Sequence, residues 1–178
     1  PEDVRKWVDV ASNVIRHYTE GKWNGFRYDI RYWEIWNEPD IMKYWSTDDI
    51  SNNDEAKGRI YAKILAAAYD AAKSASPQYT VGAIGACNLW GAPGTTFADW
   101  TLNYLNGEQK FDNLILHPYM GVTDDVEFGS MGNMSNDARS AQAYRINRMR
   151  GLVTGEDVYN FASGTNEKIK GEATGNSY

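Results

Sequence analysis

Segments with a helical pattern alternate with segments with a strand pattern along the 178-residue chain. From Asp3 to Tyr18 apolar residues recur every three or four positions, which is the spacing of one helix face. From Arg31 to Asn37 the residues are aromatic and β-branched, as in strands, and Pro39 ends the segment. Because strands that alternate with helices lie parallel and are joined by right-handed crossovers, we expect an α/β fold. The remaining predicted elements are helices at Glu55–Ala75, Phe97–Leu105 and Ala138–Leu152, and strands at Tyr79–Ile84, Phe111–Leu116 and Lys168–Glu172.

Two architectures fit this alternation. Four strands and four helices make about half of a (β/α)8 barrel, whose usual length is about 250 residues. An open, doubly wound sheet fits equally well. Nucleotide-binding sheets of that kind carry a GxGxxG turn, and Val81–Gly85 has neither this spacing nor a helix directly behind it. The alternation alone does not distinguish the barrel from the open sheet, so the choice depends on the chemistry of the residues at the strand ends.

Composition argues against several classes of partner. The formal net charge is −6 and no cluster of Lys and Arg stands out, so we expect no nucleic-acid partner. No apolar run approaches the roughly 18 residues of a membrane-spanning helix, so we expect no membrane partner. The lone Cys87 cannot form an intrachain disulfide or a CxxC metal site, and the scattered aspartates form no calcium loop. The seven Trp and twelve Tyr suit sugar rings, because each offers an apolar face and a polar edge.

The first predicted strand ends in a carboxylate, within the stretch YWEIWNEP at residues 32–39. Glycosidic bond cleavage needs an acid for the leaving oxygen and a second carboxylate for the developing oxocarbenium ion. Barrel enzymes place such groups at the carboxyl ends of strands, which makes Glu38 the candidate acid and Asn37 a candidate for binding a sugar hydroxyl. An apolar neighbour such as Trp36 would desolvate the Glu38 carboxyl and favour its protonated form. The alternative for Glu38 is a helix-capping or ion-paired surface carboxylate.

Glu34 precedes Glu38 by four positions, so the two lie on the same side of an ideal strand. We expect Glu34 to be a buried polar residue of a barrel interior that pairs with an arginine, rather than a catalyst.

Trp-Asn-Glu-Pro at a strand end resembles the acid/base signature of the clan A glycoside hydrolases, which share the (β/α)8 fold and a retaining mechanism. The longer string, with Tyr28 before it and Tyr44 and Trp45 after it, is most similar to family thirty-nine, which contains β-xylosidases and α-L-iduronidases. The resemblance continues to Phe111–Tyr119, which is similar to the sixth barrel strand with its His-x-Tyr ending. It therefore runs from the N-terminus to Tyr119.

The resemblance implies that residues 1–178 form a partial (β/α)8 catalytic domain, from before the fourth strand to about the seventh. It implies that Glu38 is the acid/base and that Asn37 binds the sugar 2-hydroxyl. His117 and Tyr119 would line the sugar subsite, with Tyr119 bonding the nucleophile, and Trp36 is a further candidate for substrate binding. The nucleophile would be Glu172, for which an exposed tail is the alternative. No cofactor or metal is implied, because two carboxylates suffice.

The first three strands and the eighth strand of such a barrel have no counterpart here. We therefore expect either another chain or a longer enzyme to complete the barrel. The predicted function is hydrolysis of O-glycosidic bonds with retention, in a plant-type or related polysaccharide or oligosaccharide. No basic residue can be assigned to a uronic acid, which favours neutral sugars such as xylose. One alternative is a non-catalytic carbohydrate-binding or assembly fragment, and another is an unrelated α/β protein with a chance Asn-Glu-Pro. An intact pair of carboxylates about 5 Å apart would favour the enzyme, because a binding protein has no need of it.

Overall fold

The computed structural model describes residues 2–41, 45, 50, 52–87, 94–117, 148–151, 153, 154, 157–160 and 165–167. Its elements in chain order are α1 (Glu2–Thr19), a 3₁₀ turn (Lys22–Asn24), β1 (Tyr32–Glu34), α2 (Asp54–Ala75), β2 (Thr80–Ala86), α3 (Phe97–Leu105) and β3 (Asn113–Leu116). Residues 148–151, 153 and 154 are helical, and β4 (Val158–Asn160) and β5 (Thr165–Glu167) follow.

Strands β1, β2 and β3 form a parallel sheet in their sequence order, with β2 in the centre. Every residue of β2 after Thr80 is buried, as expected for a strand that is paired on both edges and covered on both faces. Tyr32 on β1, by contrast, is 75% exposed. Helices α2 and α3 connect the successive strands. The prediction of an α/β fold with parallel strands is therefore confirmed for this part of the chain.

The core lies where α2 and α3 pack against each other and against β2. Helix α1 also packs against α2. Burial of apolar surface at roughly 25 cal/mol per Å² provides the main stabilisation of such a core. Its largest fully buried apolar side chains are Tyr61 and Leu65 of α2, Ile84 and Val81 of β2, Phe97 and Leu102 of α3, and Met149.

Helix α3 begins in a buried polar cluster. The Thr96 hydroxyl and the Asp99 carboxylate form a reciprocal capping box at its N-terminus. The guanidinium of Arg148 lies 3.1 Å from Oδ2 of Asp99, and both side chains are only 3% exposed. The ion pair joins the helical residues 148–151 to the start of α3, and because both side chains are buried, removal of either one would be destabilising.

The predicted helices α1, α2 and α3 are confirmed, and each boundary agrees to within one residue. The strand predicted at Arg31–Asn37 is too long, because the chain leaves the sheet after Glu34 and turns. Of the helix predicted at Ala138–Leu152, the described residues 148–151 are helical, and residues 153 and 154 beyond its predicted end are helical too. The predicted strand Lys168–Glu172 lies outside the described residues. The antiparallel pair β4–β5 was not predicted, since strands of three residues carry too little pattern.

Candidate functional site

The carboxyl ends of β1 and β3 bring one histidine and two glutamates together. His117 directly follows β3, Glu34 is the last residue of β1, and Glu38 lies in the turn after β1. Nδ1 of His117 lies 3.2 Å from Oε1 of Glu38, and Nε2 of His117 lies 3.2 Å from Oε1 of Glu34. A single imidazole therefore contacts two carboxyl groups through its two nitrogens.

The three side chains differ in exposure. The side chain of Glu38 is 9% exposed, that of His117 21% and that of Glu34 34%. The expectation that Glu34 is buried and paired with an arginine is therefore wrong: it is partly solvated and contacts His117. The physical reason is that β1 ends at Glu34 on the edge of the described sheet, so the side chain projects at the rim of the strand ends rather than into an interior.

A bulge in β2 leaves room for the Glu34 carboxylate. The register between β2 and β3 shifts between Ile84 and Ala86, and both Ile84 (φ 77°) and Gly85 (φ 51°) are left-handed. A Cβ on Gly85 would lie only 2.6 Å from Oε1 of Glu34, so no other residue fits there without displacing the carboxylate. Left-handed φ at a β-branched residue such as Ile84 is strained, and strain of this kind concentrates at functional sites.

The turn that carries Glu38 is also left-handed, with φ 69° at Trp36 and 48° at Glu38. Tyr61 of α2 supports this turn from the fully buried core. Its hydroxyl donates to the carbonyl of Ile35 at 2.8 Å and accepts from the N–H of Ile84 at 3.0 Å. Burial raises the pKa of the Tyr61 hydroxyl, so the donor proton is retained. One hydroxyl thus links the left-handed turn after β1 to the bulge in β2.

A second support holds the residues that follow Glu38. Asp40 is buried, and its carbonyl accepts from the ammonium of Lys57 at 2.7 Å. Lys57 is itself buried and pairs with Asp54 at 2.7 Å. The indole N–H of Trp45 donates to the carbonyl of Pro39 at 2.7 Å. The backbone around Glu38 is therefore fixed by side chains from outside the turn, as a preorganised site requires.

The Cys87 thiol lies at the end of β2 beside this turn. The Asp40 carboxylate accepts from the Cys87 backbone N–H at 3.2 Å and faces its Sγ at 3.7 Å. Burial, together with the negative charges of Asp40 and Glu38, raises the pKa of the Cys87 thiol to about 11. Since the thiolate is the reactive form of cysteine, Cys87 does not suit the role of nucleophile near neutral pH.

Trp36 lies between two other tryptophans. Its ring centroid is 6.2 Å from that of Trp7 and 5.8 Å from that of Trp45, with interplanar angles of 23° and 9°. These contacts give Trp36 a packing role beside the site, and its proposed contact with a substrate stays a prediction. Asn37, the neighbouring candidate, is exposed at the start of the turn.

The other two predicted site residues, Tyr119 and Glu172, lie outside the described residues. Sequence reasoning assigned no role to Lys57 or to the Tyr61 hydroxyl, and no local pattern marks either one. Within the described ranges no group of three His, Cys, Asp or Glu side chains could hold a metal ion. No described helix combines the length and the apolarity needed to cross a membrane.

Comparisons of the chain with protein-family models, with curated proteins and with solved structures each gave no match.

Proposed function

We propose that this chain is the acid/base-carrying part of a retaining glycoside hydrolase, with Glu38 as the general acid and base. The observation that carries the proposal is the position of Glu38: a buried carboxyl after a parallel strand, in contact with a histidine that ends another strand of the same sheet. Catalytic carboxylates of barrel hydrolases occupy this position. The Trp-Asn-Glu-Pro resemblance supports the same assignment.

The proposed reaction has two steps. In the first, a second carboxylate attacks the anomeric carbon, the glycosidic C–O bond breaks, and the leaving oxygen takes the proton of Glu38. In the second, the Glu38 carboxylate takes a proton from water, and the water oxygen displaces the enzyme carboxylate from the anomeric carbon. Glu38 is then protonated again and the sugar has kept its configuration. We propose Glu172 as the attacking carboxylate, on the resemblance alone.

The surroundings of Glu38 fit the demands of this role. A general acid must be held within hydrogen-bond reach of the leaving oxygen, so its backbone has to be rigid. The supports from Tyr61, Lys57 and Trp45 provide that rigidity. The partial exposure of His117 and Glu34 leaves the site open to solvent on one side, as access for a saccharide requires.

The proposal includes the architecture. We infer that β1, β2 and β3 correspond to the fourth, fifth and sixth strands of a (β/α)8 barrel. Sequential strand order, helical connections and a polar cluster at the carboxyl ends all support this inference, although an open sheet shares them. The substrate class is an oligosaccharide or polysaccharide of neutral sugars such as xylose.

The test compares Glu38→Gln with Glu20→Gln, a matched change at an exposed residue whose partner is Arg16. For glycosides with poor leaving groups, Glu38→Gln should lower kcat/KM by about 10²–10⁴-fold, the usual contribution of general acid catalysis. For aryl glycosides with good leaving groups the first step needs little protonation, so the loss should be much smaller. Glu20→Gln should leave both rates unchanged.

Chemical rescue gives the complementary result. In Glu38→Ala, azide can enter the space of the lost carboxyl and attack the glycosyl-enzyme without a general base. We expect azide to raise turnover and to yield a glycosyl azide of retained configuration. Equal losses for both kinds of leaving group, together with no azide product, would assign Glu38 a structural role and favour the carbohydrate-binding alternative.

A further inference from the structure

We propose that Asp40 is a positioning residue that fixes Glu38 beside His117. It does so by binding the peptide group between Ala86 and Cys87, at the carboxyl end of β2. Asp40 touches no reacting atom and acts through the turn that it shares with Glu38. The inference rests on the proposed function, because it gives Asp40 a part in placing the general acid of that reaction.

The first link is the turn that contains both carboxyl groups. The N–H of Ile41 donates to the carbonyl of Glu38 at 3.0 Å, which closes a four-residue turn. Pro39 is its second residue and has a fixed φ, and Asp40 is its third. Because the hydrogen bond and the proline restrict the backbone between them, a contact that holds Asp40 in place also holds Glu38.

The second link is the Asp40 carboxylate, which accepts from both donors of Cys87. Its Oδ1 accepts from the backbone N–H at 3.2 Å, and its Oδ2 accepts from the thiol at 3.7 Å. Burial and the nearby negative charges raise the pKa of the thiol to about 11, so the thiol keeps the proton that it donates. A carboxylate offers only acceptors and therefore matches two donors, whereas an amide would direct its NH₂ at one of them. Asp40 is only 5% exposed, so a lost bond is not readily replaced by one to water.

The third link is the other side of the same peptide group. The N–H of Cys87 and the C=O of Ala86 belong to one planar, trans peptide, so they point in opposite directions. The C=O of Ala86 accepts from the N–H of His117 at 2.9 Å. One rigid peptide group of β2 therefore lies between Asp40, which follows β1, and His117, which follows β3.

The three links close a ring of contacts around the candidate site. Asp40 and His117 bind opposite sides of one peptide group, and the side chains of Glu38 and His117 meet at 3.2 Å. Lys57 of α2 holds the same turn, since its ammonium donates to the carbonyl of Asp40 at 2.7 Å. The pairing of β1, β2 and β3 does not involve Asp40. Loss of its carboxylate should therefore displace Glu38 and leave the sheet paired.

The kinetic test compares Asp40→Ala and Asp40→Asn with Asp99→Asn, a control at a buried aspartate that pairs with Arg148. A misplacement of about 1 Å can lower a rate by about 10²-fold, so Asp40→Ala should lower kcat for poor leaving groups by about 10–100-fold. KM should change little, because Asp40 does not bind the substrate. Asp40→Asn keeps an acceptor for the Cys87 N–H and should lose less. For aryl glycosides with good leaving groups kcat/KM should change much less, and Asp99→Asn should lower Tm but not kcat.

The spectroscopic test needs no activity. The full chain has one cysteine and two histidines, so ¹⁵N labelling gives one amide signal for Cys87 and two sets of imidazole signals. In the wild type the Cys87 amide should exchange with solvent at least about tenfold more slowly than in an unstructured peptide, because its acceptor is charged. Asp40→Ala should abolish this protection and shift the ring signals of His117, while those of His17 on α1 stay in place. Asp99→Asn should change neither.

Several results would overturn the inference. An unprotected Cys87 amide in the wild type is one, and that spectrum decides even if a variant does not fold. Unchanged His117 signals in a folded Asp40→Ala, or equal losses of kcat/KM for both kinds of leaving group, are the others. The proposed function fails separately. The expected spectra combined with a Glu38→Gln that is insensitive to leaving group would refute the glycosidase and leave Asp40 as the residue that places Glu38. A leaving-group effect in Glu38→Gln combined with unchanged His117 signals in Asp40→Ala would refute only the role of Asp40.

Discussion

The hydroxyl of Tyr61 offers the sharpest test of how the core determines the geometry of the site. It is fully buried, and it joins the carbonyl of Ile35 to the N–H of Ile84. Tyr61→Phe keeps the ring and its contact with Phe97, so the substitution creates almost no cavity. What it removes is one donor and one acceptor for two backbone groups in the protein interior.

The expected cost follows from those two groups. A buried backbone donor or acceptor that loses its partner costs about 1–3 kcal/mol. We therefore expect Tyr61→Phe to lower the free energy of unfolding by roughly 2–6 kcal/mol. For a protein of this size, 1 kcal/mol changes Tm by about 2–4 °C, so Tm should fall by roughly 4–24 °C. Because Ile35 and Ile84 flank the left-handed turn and the bulge, the NMR signals of His117 should also change.

Tyr104→Phe is the matched control. Its hydroxyl donates to Glu55 at 3.0 Å, but the side chain is 42% exposed, so water can replace the lost bond. That variant should change stability by less than about 0.5 kcal/mol. Thermal and urea unfolding, followed by far-UV circular dichroism, measure both. If Tyr61→Phe is as stable as Tyr104→Phe, the Tyr61 hydroxyl does not support the two backbone segments and the reasoning is wrong.

Two further predictions concern charged groups near the sheet. Lys57→Met should lower the free energy of unfolding by about 2 kcal/mol, because the carbonyl of Asp40 loses a charged donor. Lys110→Met, which removes a surface ion pair with Asp70, should lower it by less than about 1 kcal/mol. Urea unfolding measures both. Burial by itself would raise the pKa of Asp112, but hydrogen bonds from Lys73 and a backbone N–H outweigh it and hold that pKa below its usual value. The ionised Asp112 carboxylate therefore stabilises the folded state fully above its unfolded pKa of about 3.9, and this stabilisation is lost as the pH falls through the lower folded pKa. The midpoint of urea unfolding should fall in this acid range for the wild type, and should fall less for Asp112→Asn.

The helices could be predicted because their information is local. Helix α2 has an Ala-rich apolar face and an Asn53 cap that accepts from Ala56 at 3.0 Å, and helix α3 has its Thr96 cap. Parallel strands followed from the alternation, and the meeting of Glu38 with His117 followed from strand ends that share one edge of a sheet. Their chemical roles stay predictions.

The end of β1 could not be predicted because its determinants are distant in sequence. The residues from Ile35 onward have a strand-like pattern, yet the chain turns into left-handed conformations at Trp36 and Glu38. The groups that support this turn come from Tyr61 and Lys57, 26 and 17 positions away from their partners. The contact of Glu34 with His117 also depends on the bulge at Gly85, and no local sequence pattern predicts this bulge.

The distribution of buried polar side chains bears on whether the role of Glu38 is structural or functional. Within the described residues, one set of buried polar side chains surrounds the start of α3, where capping and the Arg148 ion pair account for it. The other set is Glu38, Asp40 and Lys57. Lys57 and Asp40 fix backbone, and the carboxyl of Glu38 faces a partly exposed histidine. Burial of a carboxyl costs free energy that an apolar side chain in the same place would avoid. The proposed acid/base role would account for that cost, because the carboxyl would exchange its proton with a substrate that enters from the His117 side.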